Sequence, residues 1–436
     1  MNECTGTTAQ SALLTEPTPG DPYRYQPGFG NRFASEAIPG VLPHAQNAPQ
    51  RVKYDLYSEQ IESCFLSPNP DVSSSASHLS WTPFPLPSPS TTTDFIHGLS
   101  TLTGTGDPSL KTGLAIHIYT ANASMTTSAF SNNDGDLLIL PQIGILDIQT
   151  ELGRLMVRPG ELAVIQAGIK FRVSLPYGPS RGYVQEIFGT HYELPELGPL
   201  GSNGMAYPRD FETPVASFDI DTTTEWTITY KTNGQLHTCA QNHTPFDVVA
   251  WHGNYAPFKY ALEKFLNLAN VCRDQADPTI YNVLTAPSST PGISLTDFLA
   301  FTPRWSTTTN TFRPPYYHRN MSAEIMGLIY GVHGDLEPGG LRFEGSYMPH
   351  GESYSTWLEA TSKELKVERV GEGTLAFMFH VGRPVMVTRW ALESSGCLRV
   401  GDNSGGEEFK GHFLEHLEEV NADLKERGLP RLGESS

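Results

Sequence analysis

The sequence predicts a mainly β protein made of jelly-roll or β-sandwich units: a large N-terminal β domain, a C-terminal β domain and a few helices. Three observations carry this. Charged residues make up only 17% of the 436-residue chain, whereas helical proteins lean on Glu, Lys and Ala. In their place stand turn formers and aromatics, with 40 Gly, 34 Pro, 18 Tyr and 21 Phe, which suits short strands joined by tight turns. From residue 113 onward, apolar runs of about five to seven residues are separated by turn signals every eight to twelve or so, the rhythm of an antiparallel sandwich or barrel.

The length suggests two to three units of about 150 residues each. Residues 1–22 are polar and punctuated by Pro and Gly, and read as a mobile tail. The N-terminal domain is expected over 23–272 and the C-terminal domain over 273–436. Residues 23–49 are aromatic and turn-rich without a period, so they can be ordered only by lying on something larger. Residues 51–65 open with an alternation (Val52, Tyr54, Leu56) that marks a strand. Residues 67–93 are Ser/Pro-rich and read as an exposed loop. Strands are then expected at 114–119, 137–141, 143–150, 155–158, 162–167, 171–175 and 183–188. The turns Asn133-Asp134-Gly135 and Pro159-Gly160 separate some of them. Two more strands flank Asn233-Gly234.

Apolar residues at 258, 261, 265 and 268 predict a helix over 258–269, near the boundary between the units. The second unit has strand patterns at 294–301, 323–330, 344–348, 364–370, 373–380 and 384–392, the last two read as a hairpin through Gly382-Arg383. Phe409, Phe413, Leu417, Val420 and Leu424 define an amphipathic helix over 407–427, stopped by Gly428 and Pro430.

Composition also excludes function classes. A net charge of −18, from 47 acidic against 29 basic residues, disfavours nucleic acid and anionic membranes as partners. No apolar run reaches the roughly 18 residues of a transmembrane helix, and the first residues lack the basic and apolar regions of a secretory signal. Five scattered cysteines without a CxxC pair argue against a disulfide framework or a cysteine zinc site. A reducing cytoplasm is the expected compartment. No P-loop, no GxGxxG after a strand and no nucleophile elbow is present.

One stretch concentrates chemistry. Residues 313–351 hold His318, His333 and His350 with Glu324, Asp335, Glu337 and Glu344. Two imidazoles and one carboxylate on one face of an ion leave the opposite positions open for substrate and O2. His318, Glu324 and His350 can supply that set. Six residues of straight strand span roughly 20 Å, so the chain has to turn between His318 and Glu324. The alternative is that these are ordinary histidines of an aromatic loop. The same donors would also suit Zn²⁺. Elsewhere, His117, His191 and His252 read as structural residues bonded to backbone, and His412 and His416 as the solvated face of the last helix.

The wording of the stretch is more specific than its spacing. The pattern DGDLLILPQ followed by PGELAVIQAG resembles a cupin half-barrel. FRPPYYHRN (312–320), SAEIMGLIYG (322–331), PHG (349–351) and GTLAFMFH (373–380) resemble the metal-binding region of the homogentisate 1,2-dioxygenase family. The resemblance runs over about residues 23–400, through GFGN (28–31), NAPQ (47–50), RGYVQEIFG (181–189), LGPLGSNGMAYPRDF (197–211), DVVAWHGNYAPFKY (247–260) and ADPTIYNVLTA (276–286). It implies a large N-terminal β domain, a C-terminal cupin-type domain and a homo-oligomer, a hexamer built as a dimer of trimers. It further implies one Fe²⁺ per chain on His318, Glu324 and His350, with homogentisate and O2 converted to maleylacetoacetate.

Three pocket positions depart from that family. Gln275 stands where the family has its acid/base histidine, and glutamine cannot exchange a proton near neutral pH. His333 stands for a substrate-contacting tyrosine, Glu344 for a histidine, and the loop over 333–338 is shorter. Tyr316, His333, Glu344 and His350 are the expected substrate contacts. His333, paired with Glu344, is the expected replacement base, so its loss is expected to abolish turnover while iron stays bound. Two other readings follow: a dioxygenase of the same family acting on another phenolic, or a non-catalytic cupin-like subunit.

Overall fold

The computed structural model describes residues 25–27, 35–39, 53–55, 71–73, 78–195, 206–265, 281–306, 321–348, 350, 364, 366–399, 417–429 and 431–432, and the structural statements below concern these. The chain is mainly β, as its composition predicts. A ten-stranded sheet runs Tyr25–Pro27, Phe211–Pro214, Phe258–Ala261, Glu161–Ile165, Gly135–Ile143, Ser180–Phe188, Thr112–Ala121, Leu99–Asp107, Met386–Thr388 and Val72–Ser73. A seven-stranded sheet runs from Gly153–Val157 to Lys53–Asp55, and a six-stranded sheet orders Asn282–Pro287, Ser294–Phe301, Leu375–Val381, Ala323–Tyr330, Leu341–Glu344 and Leu79–Trp81.

The ten-stranded sheet is the middle layer. One face, with Ile116, Leu138, Leu140, Tyr183 and Ile187, shares a buried cluster with Phe298, Ile325, Phe377 and Phe379 of the six-stranded sheet. The other face, with Leu137, Ile139 and Val184, packs with Ile148, Leu155 and Val173 of the seven-stranded sheet. A strand covered on both sides needs no polar alternation, which explains why LLIL and LAVI read as unbroken apolar runs. Polar pins cross the first interface: Gln185 Nε2 donates to Thr296 Oγ1 (3.0 Å) and Tyr183 Oη to the Gly340 carbonyl (3.0 Å). Close approach also fixes Gly327: a Cβ there would lie 2.4 Å from the Phe377 ring.

Several expectations are corrected. Residues 258–265 form no α-helix but a strand, Phe258–Ala261, and a 3-10 turn, Leu262–Lys264. Phe258 and Tyr260 are both buried at period two, and the strand pairs with Glu161–Ile165 on one side and Phe211–Pro214 on the other. Two ladders outweigh the helical spacing. The hairpin through Gly382-Arg383 is absent. Leu375–Val381 pairs with Ser294–Phe301 and Ala323–Tyr330, while Met386–Thr388 crosses to the ten-stranded sheet beside Leu99–Asp107. Thr388 Oγ1 donates to the Thr101 carbonyl there, at 2.7 Å.

The Ser/Pro-rich segment is not all exposed loop. Leu79–Trp81 is the edge strand of the six-stranded sheet, and Trp81 is fully buried with its indole N–H on the Ala391 carbonyl (2.8 Å). The two halves of the chain thus each lend a strand to the other's sheet. The strand expected at 344–348 instead ends at Glu344, and Tyr347 takes a left-handed turn conformation (φ 62°). Of 364–370 only Glu368–Val370 is strand. The last helix is seen as Leu417–Glu426, its expected first half lying outside the described residues. The tail 1–22 also lies outside them. No helix among the described residues is long and apolar enough to cross a membrane.

His117 and His191 are structural, and both meet side chains. His117 lies between Thr101 Oγ1 (2.9 Å) and Glu186 Oε2 (3.2 Å), and His191 Nδ1 lies 2.8 Å from Asp136 Oδ2. His252 is exposed.

Candidate metal centre

Glu324 is the second residue of the strand Ala323–Tyr330. Period two turns Ala323, Ile325 and Ile329 into the main core and turns Glu324, Met326 and Leu328 to the opposite face. Register then builds a polar row across the sheet. Asp297 is opposite His380, His380 opposite Glu324, and Glu324 opposite Glu344. Directly opposed residues project to the same face, so the row forms one surface.

His350 comes to this row from beyond the turn after Glu344. Its Nε2 lies 3.3 Å from Glu324 Oε2, and both residues are buried, at 8% and 6% exposure. Its Nδ1 lies 2.9 Å from the Met348 carbonyl. A carbonyl only accepts, so Nδ1 carries a proton; the protonated ring also donates from Nε2 to the carboxylate, and the neutral ring leaves the Nε2 lone pair free for an ion. This is how an outer hydrogen bond orients a ligating imidazole. Burial pulls the His350 pKa down, but the hydrogen bond and charge of Glu324, helped by Met348, outweigh it and leave the pKa above the ordinary histidine value.

The pair fits a first-row divalent ion. Two donors 3.3 Å apart are close enough together to share one such ion, the imidazole through nitrogen and the carboxylate through oxygen. Behind the pair, His380 Nε2 is 3.9 Å from Glu324 Oε1 and its Nδ1 is 3.8 Å from Asp297 Oδ2. Asp297 is itself held by Thr285 Oγ1 (2.6 Å) and Asn282 Nδ2 (3.3 Å). Among the described residues no group of three or more His, Cys, Asp or Glu is arranged to hold a metal ion. His318, the third expected donor, lies outside them, as do Tyr316 and Gln275.

The remaining site residues separate. Glu344 belongs to the row, but its partner is His78, whose Nδ1 contacts Glu344 Oε2. His333 does not reach it. That ring stacks on Phe301 (centroids 6.3 Å apart) at the level of Ala376 and Leu328. Four residues of strand, about 13 Å, separate this level from Glu324. Burial first, then Arg342 and Arg304, push the His333 pKa down. The expected His333–Glu344 pair is therefore not made within the chain, because an extended strand carries consecutive motif residues away from one another.

Three residues of the row were not read as functional: His78, Asp297 and His380. His380 ends the quoted GTLAFMFH run, and its polarity at the close of an apolar strand was a usable signal. Asp297 and His78 gave none, since only register brings them in.

The chain matches two family models. The model of the homogentisate 1,2-dioxygenase N-terminal region matches residues 24–71 and 62–262, and that of the C-terminal region matches residues 263–405. The homogentisate 1,2-dioxygenase of Emericella nidulans is 42% identical over 428 residues, covering 89% of this chain and 94% of that one. The Drosophila melanogaster enzyme is 45% identical, with 85% and 94% covered, and the human enzyme 41% identical, with 89% and 97% covered. Matches of this extent, across both halves and through the strand that carries Glu324, place the chain in the homogentisate 1,2-dioxygenase family.

Proposed function

We propose that this chain is an Fe(II)-dependent, extradiol-type ring-cleaving dioxygenase that converts homogentisate and O2 to maleylacetoacetate. The observation that carries the reading is the buried Glu324–His350 pair, oriented from behind by Met348 and His380, in a chain of this family. His318, Glu324 and His350 would hold one iron per chain, which when bound supplies adjacent open positions for a phenol and O2. The chain's own part is orientation. Met348 keeps His350 Nε2 aimed at Glu324, and the Thr285–Asp297–His380 series buttresses the carboxylate's other oxygen. Burial of both donors keeps competing water away. The reading includes a cytoplasmic homo-oligomer, a dimer of trimers, which sedimentation would check.

A second reading keeps the chemistry and changes the phenolic substrate. It is favoured by Glu344, a second carboxylate on the same face of the sheet, together with the departure at Gln275. One experiment separates the two. Protein loaded anaerobically with Fe(II) is mixed with homogentisate, and O2 uptake and the absorbance of the opened product are followed. One O2 consumed per homogentisate supports the first reading, and Glu324→Ala should lose both iron and uptake. An iron-loaded chain inert to homogentisate but active on another phenolic supports the second. Uptake that is unchanged in a zinc-loaded protein would overturn the iron chemistry.

A further inference from the structure

Glu324 and Glu344 stand directly opposite each other on neighbouring strands. Opposed side chains begin only about 4.5–5.5 Å apart at Cβ, where like charges destabilise a sheet. Only one of the two carboxylates is paired with His350. The other, Glu344, starts from the neighbouring strand on the same face, close enough to compete for an ion held by Glu324 unless another group engages it. Register supplies that group. Phe343 pairs with Leu79, so the residue preceding Leu79 comes opposite Glu344. That residue is His78, and its Nδ1 contacts Glu344 Oε2 with both atoms shut off from solvent. The ring lies edge-on to His350, with centroids 6.5 Å apart and planes at 76°. His78 thus sits on the far side of Glu344 from Glu324, while remaining beside the site.

We propose that His78 is a positioning residue that engages Glu344 and keeps this second carboxylate out of the metal's coordination shell, so that Glu324 alone supplies carboxylate and the open positions stay open. The inference rests on the metal reading given above. It also assigns a function to a segment from the N-terminal half: the edge strand Leu79–Trp81 completes the C-terminal site. The substitution Glu344→Gln removes the competing carboxylate. Substitution of His78 by Ala releases it, and by Phe releases it while keeping a ring in place. Asn at 78 keeps an N–H donor close to the Nδ1 position.

The test uses Co(II) as the probe in the full-length chain, with visible absorption and equilibrium dialysis as readouts. Wild-type protein should bind one Co(II) per chain, and Glu324→Ala should lose it. In His78→Ala, or in His78→Phe where the alanine variant fails to fold, an added carboxylate ligand should weaken the visible bands and change affinity tenfold or more, the scale of outer-shell effects. Both His78→Asn and the double variant His78→Ala/Glu344→Gln should return the wild-type spectrum. A wild-type spectrum in the folded His78→Ala or His78→Phe protein overturns the positioning role alone. A changed spectrum that survives in the double variant also overturns it, since Glu344 would not be the cause. A wild-type chain that takes up no metal, or a Glu324→Ala chain that still binds it, overturns the metal reading and the inference with it.

Discussion

Replacing Lys231 with Met would remove an ammonium buried between two carboxylates. Lys231 Nζ lies 2.7 Å from Asp134 Oδ2 and 2.7 Å from Glu186 Oε1, and the three residues are only 3%, 2% and 1% exposed. The cluster ties the seven-stranded sheet, through Lys231, to the middle of the ten-stranded sheet, through Glu186. Glu186 also receives Asn132 Nδ2 (2.7 Å) and faces His117 Nε2 (3.2 Å). Burial alone would raise the Glu186 pKa, but Lys231 and His117 outweigh it and bring it down to about 2. Methionine keeps the packing volume against Phe188 and leaves both carboxylates without the ammonium. Breaking a buried pair in this way costs about 3–5 kcal/mol, a fall in melting temperature on the order of ten degrees for a domain this size.

The pH dependence has a definite sign. In the wild type the Glu186 pKa is depressed, so its stabilisation is full above the ordinary carboxylate pKa of about 4.3 and fades as pH falls toward the folded value. In the variant, burial without the ammonium raises the same pKa, so acidification relieves it. The deficit should therefore be widest at neutral pH and shrink as pH falls. Scanning calorimetry between about pH 8 and pH 5 reads both quantities, and adding Glu186→Gln to the variant should recover part of the loss. A melting temperature that barely moves, or a deficit flat with pH, would refute the reasoning.

Other outcomes follow from the same structure. Gly327→Ala places a methyl 2.4 Å from the Phe377 ring, and urea unfolding should show a loss of about 1–3 kcal/mol, the usual cost of overpacking. His333→Ala should leave metal content and turnover unchanged, because its ring stacks on Phe301 away from Glu324's row; loss of turnover with metal retained would return His333 to the site. Metal uptake requires neutral His350, whose pKa is raised, so dialysis should show affinity weakening as pH falls through a value above the ordinary 6.5 or so. Uptake that is flat across that range would mean His350 is not a ligand.

How much of this was legible in the chain depends on the range of the interaction. Strands were readable because their causes are local: turn residues such as Asn233-Gly234 and apolar runs such as LLIL are written within a few residues. Strand partnership was not. Met386–Thr388 joins Leu99–Asp107 across 283 residues of chain, and no local signal says so. The same limit divides the site. Glu324 and His350 lie in one recognisable stretch, and the fold sets them 3.3 Å apart. His333 lies in the same stretch and is separated from Glu324, because an extended strand adds about 3.3 Å per residue. His78, some 250 residues before Glu324 in the chain, is brought beside Glu344 by one register pair, Phe343 with Leu79. Within a β sheet, closeness in sequence measures distance along a strand, and only register measures distance across it. The residues proposed to hold the metal are collected along one stretch of chain, whereas the groups that contact them are collected across the sheet. Departures from a family's pocket at positions such as Glu344 are therefore best explained by the neighbouring strand rather than by the flanking sequence.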